Sequence, residues 1–225
     1  MHIGLIGGIG PAATDFYYRR IIARFAAQDR SLELTIVHAD TPTLLRRLAA
    51  KDYRAQVATY VALTGRLAKA GAECVAVTSI AGHFCIGAFT PVSPLPVINM
   101  ISEIERVLTL RRVAKIGVFG TRTVMATKLY GRLPTIEVLP PLGDDFDAVH
   151  DAYVAMAASG VVTDAQLEVF IAAGRRLRDE AEVEAILLGG TDLSVIGPKL
   201  ERAFPIIDGA AIHADAISAR AGVAA

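Results

Sequence analysis

The stretch ECVAVTSIA, residues 73–81, returns near the far end of the chain as EAILLGGTD, residues 184–192. Each begins at a glutamate, runs through consecutive apolar residues and ends in small or polar groups. A short apolar run bounded in this way reads as a strand buried on both faces. Two further pairs follow in the same order. IGLIGGIGPAAT at 3–14 aligns with IGVFGTRTVMAT at 116–127, and LPVINM at 95–100 aligns with FPIIDG at 204–209. The offsets are 113, 111 and 109 residues, so the matches stay nearly in register. Three ordered matches point to a repeated half-molecule.

Working outward, apolar runs at Ile3–Ile6, Leu34–His38, Val75–Thr78, Val97–Asn99, Ala114–Phe119, Ile136–Leu139, Ala185–Leu188 and Ile206–Asp208 alternate with helix-like stretches. The longest of these are Thr14–Ala27, Tyr53–Ala70, Ile101–Leu110, Asp147–Ala157 and Asp164–Glu180. Strands alternating with helices predict an α/β fold of two pseudo-symmetric lobes, each with a parallel sheet. The first lobe is expected over residues 1–98, completed by 206–225, and the second over 99–205. A ligand cleft between the lobes, lined by the C-terminal ends of strands, is the expected site. Pro11 suits a first helical turn. Thr163 with Gln166 has capping-box spacing, and Asp208 suits the N-cap of a last helix that carries His213.

Of 225 residues, 53% are hydrophobic and 20% charged, enough for a sizeable core. The 23 basic and 23 acidic residues cancel. No basic run exceeds a pair, which argues against a nucleic-acid partner. No apolar run reaches the ~18 residues of a transmembrane span, so no membrane role is expected. The N-terminal MHIGLIGGIGP lacks a basic leader and reads as a first strand, so a cytoplasmic protein is expected. Two cysteines make no disulfide framework, and neither CxxC nor HExxH is present, so no metal is expected.

Candidate groups gather at the strand ends. GLIGGIG holds neither the dinucleotide spacing nor a phosphate-loop lysine. Its Gly8 and Gly10 can offer backbone N–H groups to a small anion, or simply make a tight turn. In the second half, Thr121, Arg122 and Thr123 occupy the matching turn. They can bind a carboxylate, or they are a helix cap followed by a surface arginine. His38, Asp40, Thr41 and Thr43 follow the second strand as a cleft wall or an ordinary loop. Ser79, His83 and Cys85 end the third. His83 can act as acid or base, or cap a turn. Thr191 and Asp192 sit at the equivalent tip of the second half, and His213 lies one turn into the last helix.

The segments GLIGGIGPAAT at 4–14, SIAGH at 79–83, FGTRTVM at 119–125, LLGGTDL at 187–193 and PIIDGAAIHADA at 205–216 resemble the cofactor-independent aspartate/glutamate racemase family. The likeness runs across essentially the whole chain. It implies two similar lobes, commonly a homodimer, acting on a small carboxylate or amino acid. That family typically uses two cysteines on opposite faces of the substrate α-carbon, because a thiol pKa near ~8.5 allows one to be charged and the other protonated. The first lies in a Cys-Asn-Thr-x-His setting, where this chain has Ser79, Ile80, Ala81, Gly82 and His83. The second lies in a Gly-Cys-Thr-Glu setting, where it has Gly189, Gly190, Thr191 and Asp192. The resemblance therefore implies altered chemistry, of isomerase or lyase class. Ser79, His83, Asp192 and His213 are then the candidates for catalysis. The first glycine turn, Asp40, Thr41, Thr121–Thr123 and Thr191 are the candidates for binding. A catalytically silent carboxylate-binding homologue and a racemase using other acid/base residues remain as alternatives.

Overall fold

In the computed structural model, which describes residues 1–8 and 10–223, the chain divides into two units. Unit 1 comprises Met1–Glu103 and Ala210–Ala225, and unit 2 comprises Ile104–Gly209. Unit 1 holds strands β1 (Ile3–Gly7), β2 (Leu34–His38), β3 (Cys74–Val77) and β4 (Val97–Ile98). Unit 2 holds β5 (Lys115–Phe119), β6 (Glu137–Leu139), β7 (Ala185–Leu188) and β8 (Ile206–Asp208). Each set forms a parallel four-stranded sheet with the same pattern of neighbours, β2-β1-β3-β4 and β6-β5-β7-β8. The two pseudo-symmetric α/β lobes read from the repeats are therefore present.

The repeat extends to side-chain detail. Glu73 enters β3 with its carboxylate accepting the His2 amide at 2.6 Å. Glu184 enters β7 and accepts the amides of Ala114 and Lys115 at 2.8 and 3.0 Å. Each glutamate thus ties the start of one inner strand to the start of the next. Gly4 in β1 and Gly117 in β5 repeat the same close packing. A Cβ at Gly4 would lie 2.8 Å from the Cys74 carbonyl and 3.0 Å from Leu67. One at Gly117 would lie 2.6 Å from Ile186 and 2.9 Å from Leu177. Leu67 comes from helix α3 (Tyr53–Lys69) and Leu177 from helix α8 (Asp164–Ala181). A glycine in the strand lets each helix approach its sheet.

The inner strands β1, β3 and β7 are buried throughout, whereas the edge strand β2 is largely part-exposed. That contrast explains why near-continuous apolar runs mark the inner strands. The remaining helices are α1 (Pro11–Ala27), α2 (Thr41–Ala49), α4 (Ile86–Phe89), α5 (Met100–Leu110), α6 (Arg122–Ala126), α7 (Asp145–Ser159), α9 (Gly197–Leu200) and α10 (Gly209–Arg220). Helix α10 packs back onto α1. Arg20 grips the Asp215 carboxylate at 2.7 and 2.9 Å, and Arg24 reaches it at 2.5 Å. Thr163 and Gln166 form the expected capping box at the start of α8. Helix α2 stands where the sequence suggested only a polar strand end. Asp40 caps it, and of its nine residues only Leu44 is buried.

Candidate functional site

At the tip of unit 1, Gly8 and Gly10 adopt φ of 91° and 88°, in the left-handed region that favours glycine. The Gly8 amide donates to Thr14 Oγ1 at 2.8 Å, and the Thr41 hydroxyl donates to the Gly8 carbonyl at 2.5 Å. Two threonines from two helices therefore brace the turn. Asp40 caps α2 by accepting the Thr43 amide at 2.8 Å, and bonding to Thr43 holds its carboxyl below the usual range. Gly8, Thr14, Asp15, Tyr18, Ile36 and His38 line an open groove of about 430 Å³ beside this turn.

Ser79, His83 and His213 come together in the same unit. Ser79 follows β3, and its carbonyl accepts a hydrogen bond from His83 Nδ1 at 2.7 Å. His83 Nε2 accepts the Met100 amide at 3.3 Å. This imidazole is thus the neutral tautomer with its proton on Nδ1. The His213 ring lies edge-on to it, with centroids 6.1 Å apart. Its Nε2–H donates to the Ile98 carbonyl at 2.8 Å, and its Nδ1 accepts the Tyr17 hydroxyl at 2.9 Å. Burial, followed by the neighbouring His83, lowers the His213 pKa to about 3. Both imidazoles are fully buried with both ring nitrogens engaged. The cluster fixes the turn that carries Ser79. Cys85 lies just beyond it with its thiol 4.0 Å from the Gly82 carbonyl, buried.

In unit 2, Thr121 caps α6, accepting the Val124 amide at 3.3 Å. The Arg122 amide donates to His150 Nδ1 at 3.0 Å, and its half-exposed guanidinium pairs with Asp147 and stacks over Phe146. Thr123 is part-buried, and its carbonyl accepts the Thr127 hydroxyl at 2.6 Å. The loop after β5 is thus tied down onto α7. Thr191 and Asp192 open a 3-10 turn after β7 that is buried as far as Ser194. The Tyr153 hydroxyl from α7 donates to Asp192 Oδ2 at 3.1 Å. Burial, then the Asp192 charge and this hydrogen bond, push the Tyr153 pKa well above its usual value.

The same tyrosine occupies the side-chain space of Gly190. A Cβ there would lie 2.3 Å from Tyr153 Cε2, 2.6 Å from Cζ and 2.9 Å from the hydroxyl oxygen. Sequence reasoning had no means to find this group. Tyr153 sits inside a helical stretch, 39 positions from Asp192, with no local motif around it. Tyr17, the partner of His213, was missed for the same reason. Among the described residues, no group of three or more His, Cys, Asp or Glu could hold a metal ion. No described helix is long and apolar enough to cross a membrane.

Known structures share this arrangement of strands and helices. A Yersinia pestis protein provisionally named an Asp/Glu racemase is 26% identical with a TM-score of 0.85, the match covering 98% of this chain and 99% of that one. An aspartate racemase homologue from Pyrococcus horikoshii OT3 is 21% identical with a TM-score of 0.82, covering 98% and 99%. Picrophilus torridus aspartate racemase is 23% identical with a TM-score of 0.77, covering 99% and 95%. The family model described as Asp/Glu/Hydantoin racemase matches residues 6–217. With nearly its whole length inside that match, the chain belongs to the Asp/Glu/hydantoin racemase family.

Proposed function

We propose that the chain is a cofactor-independent enzyme of isomerase or lyase class acting on a small carboxylic or amino acid, with the thiol pair of its family replaced. In this reading Ser79 and Gly190 stand where the sequence resemblance implies the two cysteines. One observation carries it: the space a side chain would need at position 190 is filled by Tyr153, so no thiol fits there as the site stands. The chain has two cysteines elsewhere, Cys74 within β3 and Cys85 beside Gly82, both buried. Burial raises the Cys74 pKa, which disfavours the thiolate that proton abstraction needs. The family description, which names Asp, Glu and hydantoin, supports a small acid or amino acid as the substrate. In this reading Thr191 helps to hold the substrate, and the assembly is a homodimer.

The test is deuterium incorporation at the α-carbon, followed by proton NMR in D2O across a panel of dicarboxylates, amino acids and aromatic acids. Turnover of at least one acid is expected. Aspartate and glutamate should not interconvert between enantiomers, and thiol alkylation should leave the turnover intact. Rapid racemisation of aspartate in both directions would sink the reading. Binding with no turnover of any acid would favour the silent homologue instead. A monomer by sedimentation would remove the dimer.

A further inference from the structure

The replaced position is not empty. Tyr153 brings a hydroxyl to within 2.9 Å of the point where a Cβ at position 190 would stand, close to where that residue would carry a thiol. The hydroxyl is held there by Asp192 Oδ2 at 3.1 Å. Both side chains are buried, at 7% and 5% exposure. An ordinary core tyrosine needs only one acceptor, and a backbone carbonyl would serve. Here the acceptor is an ionisable carboxyl in the turn that follows β7.

We propose that Tyr153 is a catalytic proton donor of unit 2 and that Asp192 resupplies it. The proposal rests on the preceding reading, that the chain handles a carbanion at the α-carbon of a small acid. In the step, the lone pair of the substrate carbon takes the proton of Tyr153 Oη, forming the new C–H bond. The O–H pair left on Oη takes the proton of Asp192 Oδ2 in the same event. The carboxylic acid becomes a carboxylate, and the phenol is regenerated. A proton from a solvent acid, hydronium or buffer, then returns to Asp192 Oδ2. The phenol-to-carboxylate hydrogen bond of the structure is that of the discharged pair.

This route avoids a buried phenolate, which burial and the neighbouring carboxylate both disfavour. It also changes the balance of the reaction. Drawing a proton from carbon at Oη would require the phenolate, which burial and the Asp192 charge disfavour. The pair therefore gives a proton to a carbanion more readily than it draws one from carbon. Reactions that generate the carbanion by losing another group suit it better than racemisation does.

The experiment compares the wild type with Tyr153→Phe, Asp192→Asn and the double variant on the same acid panel in D2O, with thermal melts as folding controls. Each single variant should lower deuterium delivery by about 10²-fold or more, the size of a lost general acid. The double variant should be no slower than the slower single, because the two residues act as one relay. Wild-type rates in Tyr153→Phe, or losses that multiply in the double variant, would overturn the relay while leaving the preceding reading standing. No turnover of any panel acid by the wild type would overturn both.

Discussion

His213 lies fully buried between the Tyr17 hydroxyl and the Ile98 carbonyl. An unfolded imidazole titrates near ~6.5, whereas this one titrates at about 3. Between those values the unfolded chain binds a proton that the folded chain does not. The stability that follows is complete above ~6.5 and drains away as pH falls, by up to about 1.4 kcal/mol per unit. Replacing His213 by Gln keeps a donor and an acceptor but removes the titration. Unfolding free energies by urea, taken between about pH 7.5 and pH 5, should fall less steeply in the variant. Parallel curves would show that the histidine does not govern acid stability. His213 itself was visible in the sequence as a candidate. Its burial was not, because Tyr17 lies 196 positions away and only the fold joins them.

At the scale of elements, the inner strands were readable because burial on both faces makes them continuous apolar runs. Long helices were readable from their period, and the capping box of α8 from four consecutive residues. Helix α2 was not, since it buries Leu44 alone and depends on its Asp40 cap. The sequence placed the last helix with the first lobe but not against α1, because that pairing rests on residues far apart in the chain. There Asp215 gathers Arg20 and Arg24. Burial pushes its carboxyl upward, but the two arginines outweigh that and leave the pKa below its usual value. The contribution is present above the unfolded carboxyl's titration and is lost as pH falls through the lower folded one. Asp215→Asn keeps the shape and removes the charge. Because the group is only half-buried, a cost of about 1–3 kcal/mol is expected, between the surface and buried extremes. Chemical denaturation at neutral pH measures it, and equal stability would show that the arginines hold α10 by packing alone.

For the whole molecule, three repeated segments were enough to read two lobes. A duplication keeps its spacing even after most side chains have changed. The working groups follow no such rule, since they are assembled from distant segments. Gly190 and Tyr153 make this concrete, for they claim one volume. A cysteine can enter at 190 only by displacing the ring, and removing the ring alone leaves a hole. Gly190→Cys should therefore destabilise by about 1–3 kcal/mol as an overpacked site. Tyr153→Ala should cost about 3–5 kcal/mol, in line with other buried aromatics. The pair together should recover part of both losses, which thermal or denaturant unfolding would reveal as non-additivity. Strictly additive losses would mean that the two positions are independent. Non-additivity of this kind acts as a ratchet on descent. A chain with this ring at 153 cannot gain a side chain at 190 one substitution at a time without passing through a less stable protein, so the tyrosine guards the glycine.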